Sequence, residues 1–232
     1  MSSERPLAVV TGTSSGIGLA IASRLLADGW RVSGWDIAPP QIEHAAFESH
    51  TVDLSDGAAA QVAAQSVGTV QALVHAAGLL RVGRLGELNA DDGELMWHVH
   101  VDAITRIANV LLPRMVQAGS GRVVLVGSRV ARGVAGRGQY AATKAALGSL
   151  ARSWAAEVIA ARVTVNVVAP AATQTAMLQD SSRQSQPPRL PPIGRLIQPE
   201  EVASLVAYLL SDAAAAITGQ EIQHCGGSSL VG

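Results

Sequence analysis

Short β-branched or apolar runs alternate with helical stretches along the whole chain, and this alternation constrains the fold more than any other feature. Strand-like runs lie at Leu7–Val10, Arg31–Trp35, Ser49–Val52, Val70–Val74, Arg122–Val126, Val163–Val168 and Glu221–His224. Helical stretches fall between them near Gly16–Asp28, Asp56–Ser66, Asp91–Gln117, Gln139–Ala160 and Pro199–Ser211. Strand, helix and strand in repetition imply crossover connections, which build a parallel sheet with helices on both faces. The expected fold is therefore α/β: one doubly wound domain over residues 1–232, with a seven-stranded parallel sheet. Helix starts agree, since Asp91-Asp92 and Pro199-Glu200-Glu201 set acid, or proline and acid, at the positive end of a helix. Ser181–Pro192 is the exception. It carries four of the ten prolines and no period, and reads as a loop: a lid over a site, near residues 176–197, or a plain surface connection.

The turn after the first strand is Thr11-Gly12-Thr13-Ser14-Ser15-Gly16-Ile17-Gly18, and it runs straight into a helix. Glycines allow a tight turn and close backbone approach. The free N–H groups of the helix start then face a pyrophosphate. Gly12, Ser14, Ser15, Gly16, Ile17 and Gly18 are thus candidate cofactor-binding residues. The second strand ends in Asp36, eighteen residues after Gly18. A carboxylate there accepts hydrogen bonds from both adenosine ribose hydroxyls and repels a 2′-phosphate. The turn holds no Arg or Lys, and neither follows Asp36 directly, so the expected cofactor is NAD and not NADP.

The chain has sixteen arginines and one lysine, Lys144, four residues after Tyr140 in GRGQYAATKAALGSL. Residues four apart share a helix face, so both side chains can point at one spot. A free phenol has a pKa of about 10 and is a poor base at neutral pH. A cation roughly 4 Å away, at an effective dielectric of about 20, is worth on the order of 4 kcal/mol, enough to lower that pKa by about 3. A proton-transferring tyrosine needs such a neighbour.

Taken in order, TGTSSGIG, a serine ending the fifth strand (Ser128 in VVLVGSR), YAATK and NVVAPAATQT resemble the short-chain dehydrogenase/reductase family, of the classical type, over nearly the whole length. The resemblance implies a Rossmann-type domain in which Tyr140 is the acid/base and Ser128 hydrogen-bonds the substrate oxygen. Lys144 would hold the nicotinamide ribose as well as tune Tyr140. Asp53 and Leu54 would contact the adenine; Ala76, Ala77 and Gly78 would pass by the ribose. Thr175 would hold the nicotinamide amide or its phosphate, and Pro170 and Thr173 would also bind the cofactor. The implied reaction is hydride transfer between a secondary alcohol and its ketone with NAD. Two alternatives are an NADPH-type 3-oxoacyl or ketone reductase and a weakly catalytic dinucleotide-binding protein. A narrower similarity, carried by VSGWD and AAGLLRVG, is to cyclic diol dehydrogenases of the 2,3-dihydro-2,3-dihydroxybenzoate type.

The chain departs from the family pattern in several places. His75 stands where an asparagine is usual after the fourth strand, Ala171 replaces a glycine after Pro170, and Cys225 replaces an aspartate. His100 occupies the place of a helix asparagine that links the active-site lysine to solvent through water. Two readings of His100 stand at this level: a proton carrier in the catalytic set, or a packed helix histidine. His75 reads as structural, capping backbone groups at the strand end. Arg81, Arg129, Arg132 and Arg137 fall near the expected mouth. An arginine fork matches a carboxylate, so a small anionic substrate is one expectation. Charged residues make up only 15% of the chain and the formal net charge is −1, which argues against nucleic acid as a partner. No membrane-length apolar run, metal-ligand spacing or possible internal disulfide is present, and a cytoplasmic homotetramer, or a dimer, is expected.

Overall fold

The computed structural model describes residues 5–179 and 189–230. Among them lie seven strands in one wholly parallel sheet: β1 Leu7–Thr11, β2 Arg31–Asp36, β3 Phe47–Thr51, β4 Ala72–His75, β5 Gly121–Val126, β6 Val163–Pro170 and β7 Glu221–His224. Their order is β3-β2-β1-β4-β5-β6-β7. The direction of travel reverses between β1 and β4, so the crevice outside their carboxyl ends is where such sheets bind ligands.

Alternation along the strands sorts the core into two layers. Val9, Leu73, Val123 and Leu125 point to one face and pack with helices α2 (Gly57–Ser66), α4 (Ala103–Ala118) and α5 (Gly138–Val158). Ala8, Val10, Val74, Val124 and Val126 point to the other, under α1 (Gly16–Ala27) and α6 (Pro199–Leu210). This is the expected doubly wound, Rossmann-type arrangement. Helix caps follow local chemistry: the Asp56 carboxylate accepts from the N–H groups of Ala58 and Ala59 and starts α2. Asn89 accepts from Asp92 N–H at the start of α3 (Ala90–Trp97).

The stretch Asp91–Gln117, expected as one helix, is two. A π turn, His98–Asp102, separates α3 from α4. The apolar period runs through this turn without a glycine or proline to mark it. The proposed lid falls partly on residues 180–188, outside the described residues. Of its flanks, Ala176–Gln179 forms a 3-10 turn and Ile197 joins Thr173 in an isolated parallel bridge. No helix among the described residues is long and apolar enough to cross a membrane.

Leu111 on α4 is fully buried in the core, whereas Leu85 is 92% exposed. Urea denaturation should show Leu111→Ala losing about 2–5 kcal/mol of stability, while Leu85→Ala should stay within about 0.5 kcal/mol of wild type.

Candidate active site

One cleft crosses the carboxyl ends of the strands. It is walled at one end by Asp36, Asp53 and Leu54, along its floor by Gly12, Ser15, Gly16, Ile17 and Gly18, and at the other end by Ser128, Tyr140 and Lys144. Ala76, Ala77, Gly78, Pro170, Thr173 and Thr175 also line it. Of the residues expected from sequence to bind cofactor, Ser14 alone lies outside the wall. Its backbone N–H donates to Asp36 Oδ2 at 2.9 Å and its hydroxyl to the Ala38 carbonyl, so it braces the loop that carries the acid.

The floor is shaped by what a side chain would strike. A Cβ on Gly12, which has φ +76°, would sit 2.8 Å from Ala77 N and Cα, and one on Gly18 would collide with the Gly12 carbonyl. The backbone is therefore bare where α1 begins, and its N–H groups open into the cleft as an anion cradle. Asp36 accepts Ala38 N–H on Oδ1 and Ser14 N–H on Oδ2. Each carboxylate oxygen keeps a further lone pair for a ribose hydroxyl. A cradle for a pyrophosphate with an acid at one end and a cation at the other fits a dinucleotide.

At the far end, α5 carries Tyr140 and Lys144 on its buried face, as the four-residue spacing requires. The Lys144 ammonium donates to the Val126 carbonyl, at the end of β5, at 3.0 Å and lies 5.9 Å from the centre of the Tyr140 ring. Burial lowers the Lys144 pKa to about 8. Ser128 follows β5 and its Oγ accepts Val130 N–H at 3.2 Å, opening the short 3-10 turn Arg129–Arg132.

Both unusual histidines are fully buried and neither lines the cleft. Thr11 Oγ1 accepts the N–H groups of Ala76 and Ala77 at 3.1 Å, so its own hydrogen goes to His75 Nδ1 at 3.0 Å. His75 fixes the hydroxyl that holds the Ala76-Ala77 turn against the cofactor cradle. Burial, with the charge of Lys144 added, lowers its pKa to about 3. The His100 ring lies edge-on to that of Tyr140, with centroids 5.6 Å apart. Its pKa is held well below the ordinary value, first by burial and then by Lys144.

Of the four arginines expected at the mouth, Arg129 and Arg137 line the cleft. Arg81 and Arg132 do not: Arg81 donates to the Leu80 carbonyl and pairs with Asp92 at 3.3 Å, while Arg132 is exposed. The sequence reading missed Arg189 and Ser228, which also line the cleft; they come from far along the chain, and no local spacing signals them. It also missed Thr143, one residue before Lys144, whose hydroxyl contacts the His100 ring.

Such an arrangement, a dinucleotide cradle leading to a tyrosine and a buried cation, defines a dinucleotide-dependent oxidoreductase acting on a CH–OH or oxo group. A family profile described as enoyl-(acyl carrier protein) reductase matches residues 12–229. The chain is 34% identical to 3-oxoacyl-[acyl-carrier-protein] reductase FabG of Salmonella typhimurium over 100% of both proteins. It is 31% identical to oxidoreductase UcpA of Escherichia coli K12, over 96% of this chain and 94% of that protein. A solved structure titled as a short chain dehydrogenase/reductase family protein superposes with a TM-score of 0.91, at 30% identity and full coverage of both chains. The chain belongs to the short-chain dehydrogenase/reductase family. These relatives carry the family, and not the narrower similarity to cyclic diol dehydrogenases.

The drop in Lys144 pKa from 10.5 to about 8 corresponds to about 3 kcal/mol of disfavoured charge burial. Below pH 8 folded and unfolded chains are both protonated there and the full penalty acts. Between pH 8 and 10.5 the unfolded chain binds the extra proton, so native stability gains as pH rises. Lys144→Met should therefore stabilise the cofactor-free protein by up to about 3 kcal/mol at pH 7, with the gain shrinking above pH 8, in denaturation curves taken across that range.

Proposed function

We propose that this protein interconverts a 3-oxoacyl group and its 3-hydroxyacyl counterpart with NAD(H), with Tyr140 as acid/base, and that the acyl substrate is anionic. The observation that carries the reading is the polarity of the cleft: Asp36 and Asp53 follow β2 and β3 at one end, while Tyr140 and Ser128 stand at the other with Lys144, Arg129 and Arg137, their neighbours in the chain, and Arg189 lines the same cleft. No carboxylate lines the substrate end among the described residues. The 3-oxoacyl assignment takes its support from the FabG relative, and from the apolar side chains of Leu80, Val130, Met177 and Leu178 in the same wall, which suit an acyl chain.

When bound, the dinucleotide supplies or accepts the hydride at the substrate carbon. The residues of the chain do the rest. In the reducing direction the Tyr140 hydroxyl gives its proton to the oxygen that gains charge, and Ser128 Oγ–H donates a hydrogen bond to the same oxygen. Lys144 keeps positive charge beside the phenolate that Tyr140 becomes and would hold the ribose of a bound dinucleotide. Asp36 accepts the adenosine ribose hydroxyls and disfavours a 2′-phosphate. Pro170, Thr173 and Thr175 flank the nicotinamide end, and Asp53 and Leu54 the adenine end. The arginines hold the anionic part of the substrate, a carboxylate or the phosphates of a thioester carrier, away from the apolar stretch that holds the chain.

Absorbance of the reduced nicotinamide tests this with acetoacetyl-coenzyme A, an uncharged acetoacetyl thioester and a carboxylated cyclic diol, each with the NAD and the NADP couple. NADH with acetoacetyl-coenzyme A should give the highest kcat/KM, and Tyr140→Phe should lower kcat by about 10²–10⁴-fold. Arg129→Ala should raise KM for the charged thioester and leave the uncharged one unchanged. Turnover of the cyclic diol alone, or equal use of NADPH by wild type and Asp36→Ala, would defeat the reading.

A further inference from the structure

His100 sits in the π turn between α3 and α4, fully buried, and both its ring nitrogens are engaged. Leu79 N–H, just past the end of β4, donates to Nε2 at 3.0 Å. Nε2 therefore carries the lone pair and Nδ1 the proton. Nδ1 lies 2.8 Å from Thr143 Oγ1, which in turn is 2.9 Å from the Tyr140 carbonyl oxygen. A single donor order satisfies every group: Leu79 N–H to Nε2, Nδ1–H to Thr143, and Thr143 O–H to the Tyr140 carbonyl. A second ring proton would set two donors face to face at Leu79. The fit is also close sterically, because a Cβ on Gly78 would come to 3.0 Å from Nε2 and 3.4 Å from Lys144 Nζ.

We propose that His100 is a positioning residue and not a proton carrier: locked as the neutral Nδ1–H tautomer, it ties the loop after β4 to the turn of α5 that carries Tyr140, and so fixes the phenol against the substrate carbon. The ring does through two hydrogen bonds, one at each end of its width, what a side chain with only one of them could not do. The groups facing it are the Tyr140 ring, the Lys144 ammonium and the buried His75 ring. None offers a carboxylate that would favour an imidazolium. The proton that Tyr140 exchanges with solvent between turnovers then takes a route that does not pass through this imidazole.

The proposal rests on Tyr140 as the acid/base, and the two can fail separately. If Tyr140→Phe kept its turnover, the reading of the site would fall; if Tyr140→Phe were dead and His100→Asn fully active, this proposal alone would fall. Asparagine is too short to span Leu79 and Thr143 together. His100→Asn should therefore lower kcat about 10–100-fold, the scale of a misplaced reacting group, with KM for cofactor changed less than about 3-fold and the pH–rate profile keeping its midpoints. Thr143→Val should show the same loss, the double variant no more than either alone, and Thr143→Ser should restore the rate. Loss of a limb of the pH profile in His100→Asn, or rescue by added imidazole, would make His100 a proton carrier. Nitrogen-15 NMR of the wild-type ring gives a readout that needs no variant to fold: an Nδ1–H imidazole from pH 6 to 8 is expected, and an Nε2–H tautomer or an imidazolium would overturn the proposal.

Discussion

The site is organised around a single buried ammonium held by the last carbonyl of a central strand. Lys144 donates to Val126, and almost everything else in the cleft follows from where that contact must be. The carbonyl is available because β5 ends there, and β5 ends there because Ser128 turns the chain into a 3-10 segment. The lysine reaches it because α5 packs its small-residue face on the sheet, bringing Tyr140 to the same opening. A charge this deep opposes folding. Its presence makes sense only as a function-bearing cost, and the surrounding core of two well-packed layers is large enough to absorb it.

Around this contact the chain uses imidazoles where its family commonly has amides. His75 and His100 are both fully buried, both neutral, and each hydrogen-bonds a threonine: Thr11, which holds the Ala76-Ala77 turn, and Thr143 on α5. An amide offers one donor end and one acceptor end at short reach. A neutral imidazole offers the same pair across a wider, stiffer ring. Burial first, and the nearby lysine charge second, keep both rings from protonating, so the buried cation adds to the hydrogen-bond order beside it.

Much of this was legible in the sequence, for physical reasons that differ by element. The strands of the core were readable because both faces are buried, giving unbroken runs such as VTVNVVAP. β3 was placed two residues late, because this edge strand is mostly exposed and FESHT has little apolar pattern. The glycine turn was readable because its steric demands fall on neighbouring residues, and Tyr140 with Lys144 because a helix makes i and i+4 neighbours. The π turn was hidden: its sequence, HVHVD, holds no glycine or proline to mark a break in the helix. Arg81 was misplaced since its partner, Asp92, lies in another element, and Arg189 joined the site only through the fold. His100 could be singled out by departure from a pattern, but the roles of its two nitrogens depend on Leu79 and Thr143, which no spacing connects.

Because the chain contains one lysine, a sample labelled only in lysine with carbon-13 at Cε and nitrogen-15 at Nζ yields one side-chain ammonium signal, free of overlap. Its titration by NMR reads the central contact directly. A midpoint near pH 8 is expected in the cofactor-free protein. A midpoint near 10.5, the ordinary value for lysine, would mean that the ammonium is solvated and that the buried cation on which the site is built does not exist.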